Sequence, residues 1–174
     1  TNNLLKHINL ALEIDVPYIN QIELKYLSKL RKLLHIIASE APFTPNVSKL
    51  AAAVETSRAT VMNYLRYLKN AKLIQLLYCN GGEDEMKKPD KVYMHNTNLL
   101  YAIAPNNTNN LNLQHTFFYN QVGYKLLLNS SADGDFLVDN KYHFLVGGQK
   151  TEPGQHAFAA ADMIEIGEKN KIPL

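Results

Sequence analysis

The strongest constraint on this chain is a change of apolar period between residues 24 and 95. Leu27, Leu30, Leu34 and Ile37 recur at helical spacing, with Lys25, Lys29 and Lys32 on other faces. This predicts an amphipathic helix over 24–38 that ends before Pro42 and Pro45. A second helix is predicted over 47–54, on Val47, Leu50, Ala51 and Val54. After a tight break at Glu55-Thr56, Ser57 offers an N-cap hydroxyl to a third helix that runs to about Asn70. Its buried stripe is Val61, Tyr64, Leu65 and Leu68. The period then becomes strand-like, at Leu73–Tyr78 and Val92–His95, around a polar loop from Asn80 to Pro89. Three helices with a tight break before the third make a helix-turn-helix, and a following two-stranded ribbon makes it a winged helix.

The flanking segments are less regular. Residues 1–22 place Leu4, Leu5, Ile8 and Leu12 at helical spacing, predicting a helix that breaks at Val16-Pro17. With no evident partner for that stripe, it is expected to pack on something upstream. The missing initial Met and the apolar end at Ile172-Pro173-Leu174 suggest a piece of a longer chain. A short helix from Leu99 leads to the Asn-rich connector Asn106–Asn110, the natural domain boundary. Beyond it, Phe118, Val122 and Leu126 predict a helix over about 112–128. Asp135–Val138 and Tyr142–Val146 flank Asp139-Asn140-Lys141 as a hairpin, and Met163–Ile166 reads as a last strand. The expected fold class is α+β, with domains at 23–105 and 111–174, the second a small α/β domain.

Chemistry is sparse. With 46% apolar residues in 174, the chain can bury a core, and its 20% charged content argues against general disorder. No apolar run approaches the length of a membrane span, so no membrane partner is expected. The single Cys79 excludes a disulfide scaffold, and the six His residues form no metal-ligand spacing. Neither Gly81-Gly82 nor Gly147-Gly148 belongs to a phosphate-binding Gly-x-x-x-x-Gly-Lys loop, so no cofactor is expected within these residues. Charge distribution is more informative. Residues 47–72 hold Lys49, Arg58, Arg66, Lys69 and Lys72 against Glu55 alone. If the third helix enters the major groove of duplex DNA, its outer face offers Arg58, Thr60, Asn63, Arg66 and Lys69, with Asn70 beyond. Arg suits guanine and Asn suits adenine. The acidic loop tip Glu83-Asp84-Glu85 would repel phosphate, whereas Lys87 and Lys88 could touch it.

The runs from Leu33 to Tyr78, "KKPDKVYMHNTNLLYAIAP", "TFFYNQV", "GDFLVDNKYHFLVGGQK" and "ADMIEIGEKNKIPL" resemble the C-terminal half of a prokaryotic family of AAA-type ATPases. In that family a P-loop ATPase domain and its lid precede a winged helix and a domain similar to restriction-endonuclease-like nucleases. The resemblance implies that residues 1–22 are the tail of the lid, with ATP and Mg bound by an ATPase domain upstream of Thr1. It further implies a cytoplasmic protein whose partners are duplex DNA and its own ATPase domain, with homo-oligomerisation open. The family's nuclease pattern maps here onto His115 in place of a helix acid, Asp135 retained, Leu145 in place of Glu, and Gln149 in place of Lys. Three of those four positions have departed, so a degenerate nuclease-like site with no bound metal is expected. Two rivals stay open: a protein-docking module that never meets DNA, and an active metal-dependent nuclease.

Overall fold

The computed structural model describes residues 2–21, 23–79 and 87–174. The acidic loop tip Glu83-Asp84-Glu85 lies outside the described residues. The chain forms two compact units of mixed α+β type. One comprises 1–76 with 92–108, and the other 77–91 with 109–174.

In the first unit, α1 (Asn2–Leu10) runs through a π turn (Ala11–Asp15) into α2 (Val16–Asn20). The predicted break at Val16-Pro17 does not occur. In a regular helix the proline ring clashes with the carbonyl four residues earlier. The wider turn relieves that crowding, with the Val16 N–H donating five residues back to the Ala11 carbonyl. Ile8, Leu12 and Val16 are buried, and this segment packs against α3 (Leu27–Glu40) and α6 (Thr97–Ile103). The expectation that its stripe needs an upstream partner is therefore corrected: the partner lies within the same unit.

Helix α3 buries Leu30, Leu33, Leu34 and Ile37. Helices α4 (Val47–Ala53) and α5 (Arg58–Asn70) follow, packed on each other across the turn at 54–57. Each begins on a side-chain cap: Asn46 accepts from the Lys49 N–H at 3.0 Å, and Ser57 from the Thr60 N–H at 3.0 Å. The turn is closed by Glu55, at φ 53°, whose carbonyl accepts from Lys29 Nζ. Strands β1 (Ile74–Leu77) and β2 (Lys91–Met94) form a two-stranded sheet. Phe43 and Val92 exchange backbone hydrogen bonds, adding a bridge to its edge.

In the second unit, α7 (Asn110–Val122) lies against a five-stranded sheet in the order β3 (Leu128–Ser130), β4 (Phe136–Val138), β5 (Tyr142–Gly147), β6 (Ala157–Ala161), β7 (Lys171–Pro173). The first three strands are antiparallel and the last two join in parallel. The β4–β5 turn has Asp139 and Asn140 at φ 50° and 55°, with Lys141 N–H donating to the Val138 carbonyl at 3.0 Å. Two successive left-handed residues give this three-residue connection a twist that matches the flanking strands. Phe136, Phe118, Phe144 and Phe158, in that order, form an aromatic chain with successive ring centroids 5.0–5.4 Å apart.

Two expectations fail here. The helix stops at Val122, and Leu126 is 43% exposed. The segment Met163–Ile166 is a turn region with Met163 and Ile166 more than 80% exposed, and the strands are the flanking Ala157–Ala161 and Lys171–Pro173.

The burial of Leu12 at 2% exposure against Ile14 at 55% sets a stability contrast. Leu12→Ala should cost about 2–5 kcal/mol in denaturant unfolding of the first unit, and Ile14→Ala less than about 0.5 kcal/mol. Equal small effects would show that the N-terminal helix is not part of that core.

Candidate functional site

Helix α5 is the first candidate. Its stripe of Val61, Tyr64, Leu65 and Leu68 is buried, which fixes what remains outside. Arg58 is exposed, while Thr60, Asn63, Arg66 and Lys69 are half-buried. These five do not share one face. At about 100° per residue, Arg58, Arg66 and Lys69 fall on one flank of the buried stripe and Thr60, Asn63 and Tyr67 on the other. Arg66 crosses the gap by donating to Asn63 Oδ1. Thr60 exchanges a 2.8 Å hydrogen bond with the Ser57 hydroxyl.

The Thr60–Asn63 flank opens on a cavity of about 350 Å³ walled opposite by Glu23 and Tyr26 and floored by Tyr64 and Tyr67. The Tyr64 and Tyr67 rings lie 6.4 Å apart, and burial together with the neighbouring Tyr26 and Tyr67 pushes the Tyr64 phenol above its usual range. The sequence reading missed this cavity. The signal was present as tyrosines at 26, 64 and 67, but spacing along a helix does not reveal which loop folds back over it.

The second candidate is the cluster of nuclease-like positions. The structure brings His115 and Asp135 together, His115 Nε2 lying 3.6 Å from Asp135 Oδ2. Gly134, just before Asp135, lies close against β5: a Cβ there would sit 2.6 Å from the Phe144 carbonyl oxygen. The Asp135 N–H donates to that carbonyl at 2.7 Å, the last backbone rung between this segment and β5. Where β4 pairing stops, side chains take over at Val146. Asp135 Oδ2 accepts from the Val146 N–H at 2.9 Å, and His115 Nε2 lies 3.1 Å from the Val146 carbonyl, which accepts its proton. Both polar groups of one buried residue are thereby satisfied.

Lys91 Nζ stands 3.8 Å from Asp135 Oδ1 and was not anticipated as a member of this group. Burial pushes the His115 imidazole below its ordinary pKa, more than the Asp135 carboxylate and the Val146 carbonyl pull it up; Lys91 adds to the lowering. On the same inner face of α7, Gln114 donates to Asp162 Oδ2 at 3.0 Å. Leu145 is half-buried and Gln149 exposed past the end of β5, so neither adds a charged oxygen or a cation to the pair. Among the described residues no three His, Cys, Asp or Glu side chains group as a metal site. No helix of the described residues is long and apolar enough to cross a membrane.

No curated protein and no solved structure matches this chain. One family model does, over residues 2–110. That span begins in α1 and runs without interruption through the helices and the two-stranded sheet to the start of α7. It covers more than half of the sequence, and the chain belongs to the family described as a domain of unknown function, DUF8612.

Proposed function

We propose that the first unit is a winged helix that binds duplex DNA through the outer flank of α5, within an accessory region of an AAA-type ATPase. The observation that carries this is the separation of charge from core on one capped helix. Arg58, Arg66 and Lys69 lie off the buried stripe, in a segment of five cations and one anion. Supporting features are the turn at 54–57, the ribbon after α5 and the Phe43–Val92 bridge, which together give the arrangement expected of such modules. The assignment to an ATPase rests on the sequence resemblance. A second reading, docking on a partner protein, is favoured by Leu10, Ile14 and Tyr18, an exposed apolar row at spacing four on the N-terminal helix.

For the second unit we propose a degenerate nuclease-like domain in which His115 and Asp135 brace β5 instead of holding a metal. Divalent-cation catalysis needs several hard oxygen ligands on one ion. Asp135 spends one oxygen on the Val146 N–H and has Lys91 beside the other, and Leu145 contributes none.

Two measurements test these readings. Fluorescence anisotropy with a duplex oligonucleotide should give roughly micromolar affinity at about 50 mM salt, and a log–log salt slope of about −3 for three phosphate contacts. Arg58→Ala with Arg66→Ala should weaken binding while leaving thermal stability nearly unchanged. No binding by the unaltered chain at that salt would hand the case to protein docking.

The brace predicts a pH dependence. An unfolded His takes up its proton near pH 6.5, whereas folded His115 does so only at lower pH. The unfolded state therefore binds more protons in that window, and stability should fall as pH drops from 7 towards 5. His95, lowered by burial and then by Lys72, acts in the same direction. His115→Gln keeps an N–H donor without the titration and should flatten the fall, leaving the share due to His95. An unchanged slope in His115→Gln would contradict the brace.

A further inference from the structure

The cavity beside α5 has a composition of its own. Three phenol rings, Tyr26, Tyr64 and Tyr67, line it together with the Glu23 carboxylate and the neutral polar side chains Gln21, Thr56, Thr60 and Asn63. Among the described residues neither Lys nor Arg lines it. Tyr64 is 4% exposed and lines the cavity. A buried phenol normally finds a partner for its O–H. Thr60 and Asn63 are engaged by Ser57 and Arg66, and Glu23 and Tyr26 by the exposed Lys25, a partner that another cation can displace.

Such a lining favours one class of ligand. Aromatic faces and a carboxylate attract a cation, and they repel phosphate, sulfate or a second carboxylate. The protein's own Lys25 demonstrates the chemistry at the rim. Its ammonium lies 2.7 Å from Glu23 Oε2 and 4.9 Å from the Tyr26 ring centroid, contacts that hold its pKa above the usual lysine range, the Glu23 bond foremost. Lys25 is itself largely solvent-exposed, so it competes for these partners without filling the space behind them. About 350 Å³ is at the small end of ligand pockets.

We propose that this cavity binds a small organic cation, an ammonium or guanidinium carried on a compact hydrocarbon body. The body packs on Tyr64 and Tyr67, the cationic head takes the Glu23 carboxylate and the Tyr26 face, and a head-group N–H donates to the Tyr64 oxygen. The site joins Gln21, Glu23 and Tyr26 to α5, so occupancy ties these residues to the helix whether or not the other flank meets DNA.

The test uses the full chain at low salt, with benzylammonium as probe and benzyl alcohol as its uncharged counterpart, followed by calorimetry and tyrosine-ring NMR. Benzylammonium should bind saturably in the millimolar range and about tenfold more tightly than the alcohol. Its shifts should centre on Tyr26, Tyr64 and Tyr67. Glu23→Gln should reduce the charged probe to the level of the alcohol, and Lys25→Ala should strengthen it by removing the competitor. Tyr64→Phe keeps the packing and should weaken binding a few-fold. Equal affinity for the two probes, indifference to Glu23→Gln, or shifts on other tyrosines would each overturn the proposal.

Discussion

The burial of one side of α5 is the constraint on which the rest of the first unit depends. Val61, Leu65 and Leu68 have no exposure at all, so the helix cannot rotate without pulling leucine and valine side chains into water. Each buried side chain of that size is worth about 1.5–3 kcal/mol against exposure. With rotation fixed, the two outer flanks acquire separate characters. One carries Arg58, Arg66 and Lys69, and the other faces Tyr26 and Glu23 across a cavity. Both proposals for this unit, a nucleic-acid contact and a cation site, follow from that single orientation and occupy different surfaces. They can therefore fail independently.

In the second unit the corresponding constraint is the backbone of Val146. Strand β5 outlasts its partner β4, which leaves an N–H and a carbonyl to be satisfied inside the protein. Asp135 and His115 meet that need, and burial keeps the imidazole neutral and suited to donate from one nitrogen. A carboxylate and a histidine 3.6 Å apart would otherwise invite a catalytic reading. Here hydrogen bonds to the strand account for Asp135 Oδ2 and His115 Nε2 in structural terms.

Much of the first unit was legible in the sequence because its signals are local. The Ser57 cap, the helical stripes of α3 and α5, and the two apolar runs of the ribbon each appear where the pattern puts them, within about three residues. The failures have physical causes. Pro17 reads as a break only if the helix is regular, and a π turn absorbs it. Helix α7 turns Asn112, Gln114, His115 and Thr116 inward with Phe118, so apolar spacing shifted its predicted end towards Leu126. Strand β6 reads Ala-Phe-Ala-Ala-Ala, a composition poor in β-branched residues, yet its position between two parallel neighbours buries it on both faces. Of the candidate sites, Arg58 and Asp135 were visible as residue types in a pattern. Lys91 and the tyrosine cavity were not, because each joins segments distant in sequence.

Native-state hydrogen exchange tests the organisation of the first unit most directly. The structure makes the N-terminal helix and α5 parts of one core, so the amides of Leu12 and Val16 should open with the same free energy as those of Leu65 and Leu68, at the level of global unfolding of the unit. Exchange of Leu12 and Val16 through a separate opening several kcal/mol cheaper would contradict it, and would return residues 2–20 to the status of a detached helix in need of another partner.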